Sequence, residues 1–127
     1  MYVNDDVVIS GRRLSDRPGD IQVTFGDGQE LVHVQHHSTD SFEWGYGGSG
    51  PADLALSILE LAIASEPRTV KLWHSYCSET AWRLHQQFKR EWVAGWCNEW
   101  HITIGAVRQW IAAHPEEVTD APTAAGE

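Results

Sequence analysis

The segment between Pro51 and Pro67 limits what this chain can fold into more than any other. Leu54, Leu56, Ile58, Leu59, Leu61, Ala62 and Ile63 populate most of a helix circumference instead of a single stripe. A helix of that kind has to be buried on more than one side, so the rest of the chain must cover it. With 127 residues, 42% of them hydrophobic, there is material for one domain with its own core and no room for a second. The expected fold is α+β, a small antiparallel sheet packed against two to three helices, in a single domain over residues 1–114.

The covering elements are read from punctuation and period. Val7-Val8-Ile9 before Gly11 reads as a first strand, and the Pro18-Gly19 break follows. Ile21, Val23 and Phe25 alternate with Gln22 and Thr24, Gly26-Asp27-Gly28 supplies a turn, and Leu31-Val32-His33-Val34 resumes an extended pattern. Residues 21–35 are therefore expected to form a β-hairpin. Thr69 to Trp73 suits a short strand or an extended link. A long helix is expected over 78–96, with Ala81, Leu84, Phe88 and Trp92 on one stripe and Gly95 near its end. Trp100, Ile102 and Ile104 suggest a brief extended piece, and Ala106 to Ala113 a last helix. Residues 115–127 carry neither period nor enough apolar surface, and read as a disordered acidic tail. No run approaches the roughly 18–20 apolar residues of a membrane span, and the N-terminus has no signal-peptide pattern, so a cytoplasmic protein without membrane contact is expected.

Gly45-Tyr46-Gly47-Gly48-Ser49-Gly50 matches the G-x-G-x-x-G spacing of dinucleotide-binding loops. The context departs from that use. Phe42-Glu43-Trp44 is no buried parallel strand, and Val70-Lys71 stand where a ribose-binding acid would be. With Gly50 as N-cap and Pro51 as first helical residue, Asp53 falls at the third position and is expected to accept the free amides itself. Gly45, Gly47, Gly48, Ser49, Gly50, Pro51 and Asp53 are thus read as a structural loop that seats a helix, with no cofactor. Ser49 is not in a nucleophile elbow, because Pro51 replaces its closing glycine.

His74-x-x-Cys77 and Cys97-x-x-x-His101 imitate a zinc set, but a helix over 78–96 would hold the two halves on the order of 28 Å apart. No metal is expected, and Cys77 and Cys97 read as reduced, buried thiols that cannot pair. On an extended strand His33 and His37 share a face while His36 points away, so these three read as a solvated strand end, with a pH-sensitive contact to an acidic neighbour as the alternative. Of seven tryptophans, Trp82, Trp92, Trp96 and Trp110 sit on helical stripes expected in the core. Trp44 and Trp100 are the candidates for exposed interface anchors.

Charge is unevenly spread. Residues 1–66 hold eleven Asp and Glu against three Arg, residues 67–113 hold three acids against six bases, and the net charge is -9. The acidic half repels phosphate and attracts basic surfaces. VVISGRR, FEWGYGGSGPADLALSILELA, HQQFKREWVAGW and EWHIT together resemble a small family of unknown function common in phages, plasmids and bacterial genomes. That resemblance implies an α+β fold and no catalytic residue. Some small phage proteins of this kind act as anti-CRISPR proteins, which implies a non-enzymatic inhibitor of a host defence complex. Asp16, Asp20, Asp27, Glu30, Asp40, Glu43 and Trp44 would then meet the partner, a host complex with a basic nucleic-acid-binding surface. Two alternatives use other residues: a nucleic-acid-binding module through Arg68, Lys71, Arg83, Lys89, Arg90 and Arg108, or a nucleotide-binding enzyme using the glycine loop with His36, His37 or Ser49.

Overall fold

Period-two alternation in three segments places Ile9, Gly11, Val23, Phe25, Trp100 and Ile102 on one sheet face. The computed structural model describes residues 3–17, 19–38, 42–63 and 65–115. Its strands are β1 (Val8–Arg13), β2 (Ile21–Phe25), β3 (Gln29–Glu30), β4 (Val70–Lys71), β5 (Tyr76–Cys77) and β6 (Glu99–Thr103). Its helices are α1 (Ser49–Ile63), α2 (Glu79–Glu91) and α3 (Ile104–Ala112), with a 3-10 turn at Val93–Gly95. An antiparallel sheet of order β3-β2-β1-β6 carries the helices on its apolar face, and β4 and β5 pair separately. The architecture is α+β, as expected.

Register explains the inner face. Phe25, Ile9 and Ile102 align in one cross-strand row, and Val23, Gly11 and Trp100 in the next. Gly11 is required there because the Trp100 ring lies directly over it, where any Cβ would collide. Above these rows α1 is covered as its sequence demanded: every residue from Gly50 to Glu60 is buried. Leu54, Leu56, Ile58 and Leu59 are wholly enclosed, and each contributes roughly 2 kcal/mol by leaving water.

Three boundaries differ from expectation. The hairpin ladder stops at Glu30, and the amides of Val34, His36, His37 and Ser38 bond to α1 side chains instead of a strand. Helix α2 ends at Glu91, not Trp96: Trp92 leaves helical geometry at φ -124 and ψ -66, and the 3-10 turn follows. Trp96 therefore leaves the helix and stacks on Trp100, with ring centroids 4.1 Å apart. Helix α3 starts at Ile104, where the Thr103 hydroxyl accepts the Ala106 N–H. Apart from Pro115, the expected tail lies outside the described residues. No helix among the described residues is long and apolar enough to cross a membrane.

Both cysteines are free, but only Cys77 is buried, and Cys97 is exposed, so the expectation of two buried thiols is corrected. Burial, and then Glu60, push the Cys77 thiol up to about 11. A thiol reagent at pH 8 is expected to label one sulfur per native chain, and a second only after denaturation. Rapid labelling of both in the folded protein would contradict this placement.

Candidate functional site

The glycine bend is closed by its surroundings. Gly45 adopts a positive φ of 86° and donates its N–H to the Val93 carbonyl at 3.0 Å. The Tyr46 ring lies over Gly48, and Lys89 Nζ donates to the Gly47 carbonyl at 3.3 Å. Helix α1 opens at Ser49, and the Gly48 carbonyl already accepts the Ala52 N–H at 3.1 Å. Gly50 and Pro51 are buried within its first turn. Asp53 is consequently the fifth helical residue, too far along to cap, and the first turn holds no acid. The expected capping role of Asp53 is corrected: its carboxylate serves another segment.

Trp44 is corrected as well. It is fully buried, its Nε1 donates to the Cys97 carbonyl at 2.6 Å, and its ring meets Trp100 edge-on at 5.5 Å. The Arg13 guanidinium sits 4.9 Å above the Trp44 ring and bonds both the Trp44 carbonyl and Glu43. Glu43 also accepts the Gly19 N–H at 2.8 Å. Burial alone would raise the Glu43 pKa, but the Gly19 N–H and Arg13 outweigh it and hold the carboxyl below its ordinary range. Glu43 is an internal tie, not a free surface charge. Trp100 is buried too, against its reading as an exposed anchor.

The densest polar constellation is built around Asp53. Its side chain has no exposure, and one oxygen accepts from His33 Nε2 at 2.8 Å and the Ser38 N–H at 2.9 Å. The other accepts the His37 N–H at 2.8 Å, and the His36 N–H is shared between both oxygens. Burial would raise the Asp53 pKa, but His33 and these amides bind the charged form and carry it below the usual value. A bend at residues 36 and 37 is what lets all three histidines gather, contrary to the extended reading that separated His36. His37 Nε2 and His85 Nε2 lie 3.0 Å apart, and His85 Nδ1 is 2.6 Å from the Trp82 carbonyl. Donation from Nδ1 leaves His85 Nε2 as acceptor for His37. Burial lowers the His85 pKa to about 4, and desolvation also lowers that of His37. Trp82 stacks parallel to His37 and meets His36 edge-on.

Chemically, a buried carboxylate that orients an imidazole is the geometry of an acid–base pair. Here its bonds fasten residues 33–38 to α1, while His37 carries the fastening on to α2. No group of three His, Cys, Asp or Glu among the described residues has the geometry to hold a metal ion. The signal available in the sequence was the polar set Asp53, Ser57 and Glu60, spaced as one stripe on an otherwise apolar helix. Each takes an amide from outside α1: Ser57 Oγ accepts the Val34 N–H at 2.8 Å, and Glu60 accepts that of Ser78.

At the surface, Asp16, Asp27 and Glu30 are exposed and Asp20 is half-buried, 3.9 Å from Arg17. Asp40 lies outside the described residues. Several residues of the basic segment are engaged within the protein: Arg68 with Glu60, Arg108 with Asp5 and the Ala62 carbonyl, and Lys89 with Gly47. The large exposed aromatics include Trp73, Tyr76 and Tyr46, which the sequence reading did not select, and Trp82 and Trp92 are also more exposed than core stripes require. A family model described as a family of unknown function (DUF6166) matches residues 10–113. Neither a curated protein nor a solved structure matches the chain.

Proposed function

From the premise that the chain belongs to DUF6166, a family of unknown function, we propose that it is a non-enzymatic inhibitor of a host defence complex, of the anti-CRISPR type. It blocks target-DNA binding by a type I Cascade by laying an acidic edge on that complex's basic surface. The acidic edge carries this reading. Asp16 and Asp20 stand before β2, Asp27 follows it, and Glu30 lies opposite Thr24 on edge strand β3. The five residues of β2 separate Asp20 from Asp27 by roughly 17 Å along the strand, and Glu30 lies between them in height. Carboxylates so spaced compete for ammonium and guanidinium groups that otherwise meet phosphates, and the attraction fades beyond roughly 8 Å at physiological salt.

Two further features support the reading. Lys89 and Arg108 bond to internal partners, which weakens the alternative of a nucleic-acid-binding module. The Asp53 carboxylate is engaged by its own chain's amides, which weakens an enzymatic reading of the histidines.

The test is a target-DNA binding assay with a type I Cascade at several salt concentrations. Combined Asp16→Lys, Asp20→Lys, Asp27→Lys and Glu30→Lys is expected to weaken inhibition at least about tenfold and flatten its salt dependence, with the melting temperature nearly unchanged. Inhibition as strong as the parent's would remove the acidic edge from the mechanism.

A further inference from the structure

Between the end of β2, the segment after β3 and the C-terminal half of α1 lies a cavity of about 190 Å³. Phe25, Leu31, Val34 and Leu61 form its apolar wall, and Val32, 75% exposed, marks its mouth. Glu60 and Arg68 close the polar end. We infer that this cavity binds a small monocarboxylate with a branched or aromatic body.

Size selects the body. An apolar void of about 150 Å³ accommodates a benzene ring, so this one holds a phenyl or isobutyl group with an atom or two to spare. Charge and geometry select the head. The Glu60 side chain is only 4% exposed, and it is fixed from two sides, by Arg68 Nε at 3.1 Å and by the Ser78 N–H. That pairing runs through Nε, and the Arg68 side chain stays 56% exposed, so its Nη groups can meet a ligand. Their planar fork matches the two oxygens of a carboxylate. An amine would find Glu60 already engaged by Arg68 and Ser78, and a phosphate dianion would meet about twice the repulsion from Glu60 that a monocarboxylate meets. Because Glu60 already balances Arg68, the head gains hydrogen bonds more than net attraction, and affinity is modest.

The inference is independent of the acidic edge and is tested without a protein partner. Phenylacetate and 3-methylbutanoate, titrated into the isotope-labelled full chain, are expected to shift the NMR signals of Val32, Val34 and Leu61 with Kd on the order of 1 mM. The neutral isostere 2-phenylacetamide should bind at least about tenfold more weakly, and Arg68→Gln should erase that preference. Removing Arg68 leaves Glu60 unpaired, so Leu61→Phe, which fills the cavity from a half-buried wall position, is the second variant. It is expected to abolish binding while the chain still melts cooperatively. Absence of shifts up to about 20 mM, a range that covers fragment-sized affinities, would overturn the inference. So would equal binding of acid and amide, or undiminished binding to the Leu61→Phe variant.

Discussion

Asp53→Ala is expected to lower the unfolding free energy by about 3–5 kcal/mol, since it leaves several buried donors without an acceptor at roughly 1–3 kcal/mol each. The carboxylate is fully enclosed and serves His33 together with the amides of His36, His37 and Ser38. Its loss strands three amides at once. For a domain whose total stability is of order 5–15 kcal/mol, that is a fifth or more. Asp53→Asn should cost less, because its carbonyl oxygen still accepts while its amide group opposes the remaining donors. Urea unfolding measures both. A loss under about 1 kcal/mol for the alanine variant, the worth of a single ordinary hydrogen bond, would mean that residues 33–38 are held by something else.

Acid is expected to produce the second large effect. Burial lowers the His85 pKa from 6.5 to about 4, so between those values the unfolded chain binds a proton that the folded chain refuses. Stability is therefore complete above about pH 6.5 and falls by roughly 1.4 kcal/mol per unit below it, reaching a loss of about 3 kcal/mol near pH 4. His37, lowered in the same direction, adds to the decline. Asp53 acts later: its folded pKa lies below its ordinary value of 3.8, so its contribution is present above that value and drains away as pH drops further. Chemical denaturation at half-unit steps from pH 7.5 to 4 measures the slope. His85→Leu should flatten most of it, and a variant with the parental slope would exclude His85 as the acid-sensitive group.

How much of this was readable beforehand depends on whether the signal was local. The burial of α1 was legible because its apolar residues surround the helix, and β2 was legible because Ile21, Val23 and Phe25 alternate. The segment 31–35 reads as the return strand of a hairpin because its residues suit one, but it and the three residues after it bond elsewhere. Its actual partners, Asp53 and Ser57, lie 15 to 23 residues onward on a different element. The burial of Trp44 is hidden from the sequence for a similar reason. A tryptophan beside four glycines suggests an exposed loop, but Gly45 pins that loop to Val93, and the ring is drawn inward beneath Arg13. The early end of α2 had no proline or glycine at Trp92 to announce it, and Gly95 stands three residues later. Of the candidate interface, Asp16, Asp20, Asp27 and Glu30 follow from charge distribution along the chain, whereas the Arg13 and Gly19 contacts that hold Glu43 come from residues 30 and 24 positions away and leave no local signal.

The stripe of Asp53, Ser57 and Glu60 also fixes the azimuth of α1. A helix greasy on all sides could spin about its axis with little penalty, since one aliphatic side chain replaces another against the sheet. Turning this one by a single residue, about 100°, would swing three polar groups into hydrocarbon and orphan the amides they serve. The three polar positions thus act as an index mark, selecting one setting from several that oily packing alone would leave nearly equivalent.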